Sequence, residues 1–105
     1  MDKKKYLKRE LKDFKSKLSK LIPIERMILF GSYAEGRQHK DSDIDLIIVS
    51  PKFIGVEFRF RPIGLYKYWN LEKPFDFLCY TPKEFSKLKK QITVLREAVK
   101  NGIEI

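Results

Sequence analysis

The sequence predicts an α/β (α+β) domain, a small mixed β-sheet flanked by helices, on three observations. Leu7, Leu11, Phe14, Leu18 and Leu21 recur at steps of four and three, one apolar stripe of a helix. Three short apolar runs, 27–30, 44–49 and 75–80, have strand length and are bounded by Gly, Pro, Asp or Thr. A second helical stripe closes the chain. Alternation of such elements in 105 residues implies one domain, 1–105, built as a single layer pair of helices on a sheet.

The elements follow in order. The first helix stops before Pro23, because the residue preceding a proline avoids the helical region. Met27–Phe30 is a buried strand ending at Gly31, and 32–36 reads equally as one helical turn or a loop. Ile44–Val49 is rich in β-branched residues and is stopped by Ser50-Pro51. Residues 52–61 form a loop or irregular strand, and Ile63–Asn70 a short helix with Leu65, Tyr66 and Trp69 on its apolar side. Phe75–Tyr80 is a third strand. Thr81-Pro82-Lys83-Glu84 combines an N-cap, a proline at the first helical position and a capping-box glutamate. The helix they start is expected to bury Phe85, Leu88, Ile92, Leu95 and Val99, with Gly102 at its C-cap and an edge strand over Ile103–Ile105.

Composition narrows the function classes. At 43% hydrophobic and 13% aromatic the chain is too apolar to be disordered, yet it has no run of ~20 apolar residues to span a bilayer. No apolar segment follows Met1-Asp2-Lys3-Lys4-Lys5, which argues against a secretory leader. The single cysteine, Cys79, reads as a small buried hydrophobe and suits a reducing, cytoplasmic setting. A net charge of +9 favours an anionic partner, and residues 1–26 hold ten Lys/Arg against four Asp/Glu. A nucleic acid on that basic helix is one reading; a solvated helix face is the other.

One stretch carries chemistry. Asp43 and Asp45 project to the same side at the entry to a strand, while Ile44, Leu46 and Ile48 anchor the opposite face. Adjacent like charges repel unless a cation lies between them, and hard carboxylate oxygens suit magnesium with substrate phosphates. Gly31 lets backbone approach a phosphate, and Ser32 adds a hydroxyl and an N–H. Asp76, a charge within an apolar strand, is the candidate third carboxylate of a two-metal site; a structural salt bridge or a solvent-facing edge position is the other reading. His39, the only histidine, reads as a loop residue rather than a ligand.

With Gly31-Ser32, Asp43-Ile44-Asp45 and Asp76 in place, the chain resembles a minimal nucleotidyltransferase of the DNA polymerase beta-like superfamily, over roughly 27–80. The resemblance implies the nucleotidyltransferase fold and transfer of a nucleoside monophosphate, AMP from ATP, to a hydroxyl with loss of pyrophosphate. It implies that Asp43, Asp45 and Asp76 are catalytic and bind two Mg2+ ions, and that Gly31 and Ser32 hold the triphosphate. Many members read Gly-Ser-x-Ala-Arg-Gly; here Glu35 stands at the arginine, and Arg37 two residues on is its substitute. The short chain has little room for an acceptor-binding domain, so a partner is expected to deliver the acceptor. Small stand-alone members resemble antitoxins paired with a HEPN-type toxin, whose tyrosine is adenylylated. The aromatic stretch 53–80, with Tyr66, Tyr68 and Trp69, is a candidate interface. Two alternatives remain: a binding module that neutralises a toxin by occlusion, and a basic nucleic-acid binder.

Overall fold

A computed structural model describes residues 3–105; Met1 and Asp2, at the start of the segment inspected for a leader, lie outside the described residues. The elements are α1 (Lys3–Ser19), β1 (Arg26–Phe30), α2 (Ser32–Glu35), β2 (Ile44–Val49), β3 (Phe75–Tyr80), α3 (Pro82–Leu88), α4 (Thr93–Asn101) and β4 (Ile103–Glu104). The sheet has the order β3-β2-β1-β4. β1 runs antiparallel to both β2 and β4, and β2 runs parallel to β3, so the sheet is mixed. No helix is long and apolar enough, among the described residues, to cross a membrane.

β2 explains the architecture. Its run Ile44-Asp45-Leu46-Ile47-Ile48-Val49 is apolar on both faces beyond Asp45, so both faces have to be covered. Ile44, Leu46 and Ile48 pack with Leu7, Leu11, Phe14 and Leu18 of α1. Ile47 and Val49 pack on the other side with Phe85 of α3 and Leu95 and Ala98 of α4. The molecule therefore has helices on both faces of the sheet rather than one layer pair.

Three local expectations are corrected. α1 ends at Ser19, and Leu21, beyond its last turn, is exposed. The closing helix is two helices. Ile92 takes an extended conformation (φ −100°, ψ 121°) as the N-cap of α4. Ile92, Thr93 and Val94 are three successive β-branched residues, the weakest helix formers of that segment. Re-aimed by the break, α4 buries Leu95 and Ala98, while Leu88 is half-buried and Ile92 and Val99 are exposed. The 50–70 connection contains 3-10 turns at Pro51–Phe53, Phe58–Phe60 and Ile63–Tyr68 in place of a longer helix. Leu65 is buried and Trp69 sits edge-on to Phe14 at 5.1 Å, but Tyr66 is exposed.

Buried Arg61 fastens that connection to the sheet. Its guanidinium donates to the carbonyls of Val56 (2.8 Å) and Cys79 (3.0 Å) and to both carboxylate oxygens of Glu84 (2.6 and 3.1 Å). Glu84 also closes the expected capping box: its Oε1 accepts the Thr81 N–H at 2.8 Å, and Thr81 Oγ1 accepts the Glu84 N–H at 3.2 Å. The Arg61 hydrogen bonds hold Glu84 well below the usual carboxylate range, at about 2. Cys79 is buried, and burial pushes its thiol up to about 12, the inert state expected of it.

Glu84→Gln leaves the buried guanidinium without its counter-charge. Because Glu84 is itself 41% exposed, solvent screening trims the loss to about 1–2 kcal/mol, read as a lower melting temperature. A depressed folded-state pKa stabilises above the unfolded value, so the Glu84 contribution is complete above about pH 4.5 and fades towards pH 2. The wild-type and Glu84→Gln melting temperatures should therefore converge as pH falls through that window.

Candidate active site

Strand register brings the sequence-predicted residues together. Phe30, the last residue of β1, lies opposite Asp45 of β2, and Asp45 lies opposite Asp76 of β3. Asp45 shares its sheet face with Ile47 and Val49, the α3/α4 side. Asp43 precedes the strand by one residue. Its approach is fixed by a turn in which Ser42 Oγ accepts the His39 N–H at 2.9 Å and the Ser42 N–H donates to the His39 carbonyl at 3.0 Å. Ser42 is buried although it lies in a connector, a role its sequence context did not signal. His39 is a loop residue whose Nδ1 accepts the Asp41 N–H at 3.2 Å.

Gly31 turns the chain from β1 into α2 with φ 77°. A Cβ there would collide with Oδ2 of Asp45. The glycine is thus required twice, by a left-handed backbone and by the carboxylate seated against it. The sequence argued for Gly31 as room for a phosphate; its observed neighbour is the acid group itself. Ser32 begins the helical turn that the sequence left undecided, and no hydrogen bond engages its hydroxyl among the described residues.

The electrostatics are those of an uncompensated acidic centre. Burial, followed by the charges of Asp76 and Asp43, pushes the Asp45 carboxyl up to about 6. Asp43 and Asp76 are exposed, and Asp76 takes the solvent-facing edge position that the sequence left open for it. Among the described residues no three carboxylate, imidazole or thiol groups form a closed metal cage. The arrangement fits the open kind of divalent site, in which one or two carboxylates share a hard cation with water and substrate phosphate. Two features of the chain agree with that fit: the cradle at Gly31, and an Asp45 carboxylate whose negative neighbours a cation would neutralise.

Arg37 does not stand free. Its guanidinium donates to Glu35 Oε2 at 2.8 Å, and both side chains are exposed, so the acid at the usual arginine position is neutralised locally. Beside Gly31 lies a groove walled by α2 and α4, whose residues Glu97 and Asn101 the sequence reading did not single out. Their four-residue spacing near a helix end was the available signal.

The family model for the nucleotidyltransferase domain matches residues 8–101. A candidate protein adenylyltransferase of Methanocaldococcus jannaschii is 28% identical over 97 residues, 90% of this chain and 94% of that protein. A crystal structure of a candidate nucleotidyltransferase from Sulfolobus solfataricus superposes with a TM-score of 0.64. It is 18% identical and covers 91% of this chain and 76% of that one, a likeness of fold.

Two substitutions test the packing of this centre. A carboxyl whose folded pKa is raised destabilises once it ionises, so Asp45 costs stability as pH rises from about 4 through about 6. Asp45→Asn is expected to melt higher than wild type at pH 7.5 without added metal, by about 1 kcal/mol after allowance for solvent screening. The difference should vanish near pH 4. Gly31→Ala, by contrast, should lower the melting temperature at both pH values through its backbone conformation and its clash with the carboxylate.

Proposed function

Because the chain belongs to the nucleotidyltransferase domain family, we propose that it transfers AMP from ATP to a hydroxyl of a partner protein. The observation that carries this reading is the line Phe30–Asp45–Asp76 across three strands, with Gly31 seated against the Asp45 carboxylate. The name borne by the Methanocaldococcus jannaschii relative supports a protein as acceptor.

Asp43, Asp45 and Asp76 would hold two Mg2+ ions, which supply neutralisation of the phosphate charge when bound. Gly31 and Ser32 orient the triphosphate through backbone and hydroxyl, and Arg37 adds a guanidinium once it leaves Glu35. The acceptor oxygen attacks the α-phosphorus in line as the bond to the bridging oxygen breaks. Asp76, exposed at the sheet edge, takes the hydroxyl proton, and pyrophosphate departs with the electron pair. The chemistry needs positioning and charge neutralisation more than a protein nucleophile.

A surface for the acceptor protein is available. Ile54, Phe58, Phe60, Ile63 and Tyr66 are all at least 45% exposed within one connection, a density of solvent-facing apolar side chains that marks an interaction face. Tyr68 and Trp69, also considered for an interface, are half-buried against the core. We assign this face to a HEPN-type toxin carrying the acceptor tyrosine. Occlusion alone is the second reading, favoured by the same face and by the engagement of Arg37 with Glu35.

The test is transfer of label from α-labelled ATP, in magnesium, to the product of the neighbouring gene. Labelling is expected with wild type and should fall by at least 100-fold with Asp43→Asn/Asp45→Asn. Persistence of the label in that double variant would remove the carboxylates from the mechanism. Phe58→Glu/Ile63→Glu should abolish partner capture and labelling while ATP binding is retained. Neutralisation of the partner by Asp43→Asn/Asp45→Asn without ATP would instead establish occlusion.

A further inference from the structure

A cavity of about 840 Å3 opens on the α1 side of the sheet, the side of Ile44, Leu46 and Ile48 rather than of Asp45. Ligand pockets run from about 300 to 1,000 Å3, so it has the size of one. Leu7, Tyr33 and Leu71 form its inner wall. Tyr33 is only 8% exposed, yet no hydrogen bond engages its hydroxyl among the described residues. That oxygen is not sealed in the core, so it opens into the cavity its ring lines. Burying a hydroxyl without a partner is costly, and a polar ligand atom would remove the cost.

Two loops form the mouth. One supplies Gln38, His39 and Lys40, the other Asn70, Glu72 and Lys73. His39 Nδ1 accepts the Asp41 N–H, so the neutral ring keeps its proton on Nε2 as a donor. Glu10 adds an acceptor from α1, and the amides of Gln38 and Asn70 offer both kinds of group. A phosphate-rich ligand would meet the carboxylates of Glu10 and Glu72, and a hydrocarbon would satisfy neither them nor the lysines. A polypeptide suits the mixture, because every residue brings a backbone donor and acceptor beside its side chain. Position supplies the second argument. Lys40 stands three residues before Asp43, and Lys73 three before Asp76. Three extended residues cover about 10 Å, so a chain held between the loops reaches the end of the sheet where the carboxylates lie. Asn70 also follows directly on the connection that carries the exposed apolar face. We propose that this cavity anchors the acceptor polypeptide. An apolar side chain about three residues from the acceptor hydroxyl packs on Leu7 and Leu71, and a carbonyl beside it accepts the Tyr33 hydroxyl. This rests on the nucleotidyl-transfer reading and adds to it the sequence that the enzyme recognises around the hydroxyl.

The experiment is label transfer from α-labelled ATP to the product of the neighbouring gene at increasing partner concentration, with ATP affinity measured by calorimetry. Gln38→Phe/Asn70→Phe, which crowds the mouth from two exposed positions, should raise the KM for the partner about tenfold and leave kcat and ATP affinity unchanged. Tyr33→Phe, which removes only the hydroxyl, should raise the same KM several-fold. An alanine scan of the partner around its labelled residue should find one apolar position, about three residues away, with the same effect. An unchanged KM in either variant, or a scan without such a position, overturns the anchor and leaves nucleotidyl transfer standing. Loss of ATP affinity in the double variant makes the cavity a nucleotide site and overturns the anchor as well. A wild type that labels no protein overturns the transfer reading itself, and this one with it.

Discussion

Strand β2 is the constraint on which the rest of the structure depends. It is apolar on both faces past its second residue, so it has to be central, flanked by strands on both sides and by helices above and below. Its antiparallel partner ends where it begins, and its parallel partner begins there as well. One end of the sheet therefore gathers the exit of β1 and the entries of β2 and β3. That end is where a polar residue can appear without breaking the core, and Asp45 occupies the first such position. The core and the acidic centre are two consequences of a single pairing pattern.

The same pattern creates a conflict. Asp45 is half-buried beside two other carboxylates, and its raised pKa records the work of keeping it ionised. Gly31 makes that placement possible by offering no side chain, and its left-handed backbone turns at once into α2. Stability would favour an amide at position 45 and a larger residue at position 31. The chain keeps neither, and a cation shared between the carboxylates would offset that cost.

The sequence disclosed the elements wherever one local signal dominated. The leucine stripe of α1, the β-branched run of β2 and the Thr81–Glu84 capping box all speak through near neighbours, and all three formed. Asp43 and Asp45 stood out because their spacing meets the strand period, and Asp76 because it is a charge within an apolar strand. Their mutual register was not legible, since it depends on pairing between segments 30 residues apart. The break at Ile92 lay hidden because Leu88 and Leu95 keep helical phase across it, and only contact with β1 and β2 decides that Ala98 rather than Val99 turns inward. The sequence marked the aromatic stretch 53–80 as a candidate interface, but which of its side chains face solvent is settled only by the 3-10 turns of this connection. Arg61 had no sequence signature at all, because its four acceptors come from three separate segments.

Net charge and local charge act at different ranges in this molecule. A total of +9 raises the local concentration of any polyanion, and its effect falls off over about 10 Å at ordinary salt. Inside that distance the individual groups decide. At the end of the sheet a polyanion meets three carboxylates, which would repel it outright unless divalent cations accompany it. Next to them lies a groove lined by no lysine or arginine, which offers phosphate no counter-charge. A nucleic-acid backbone would find no basic residue along that groove. The basic exterior thus attracts phosphate at long range, and the carboxylates at the end of the sheet oppose its close approach unless cations neutralise them.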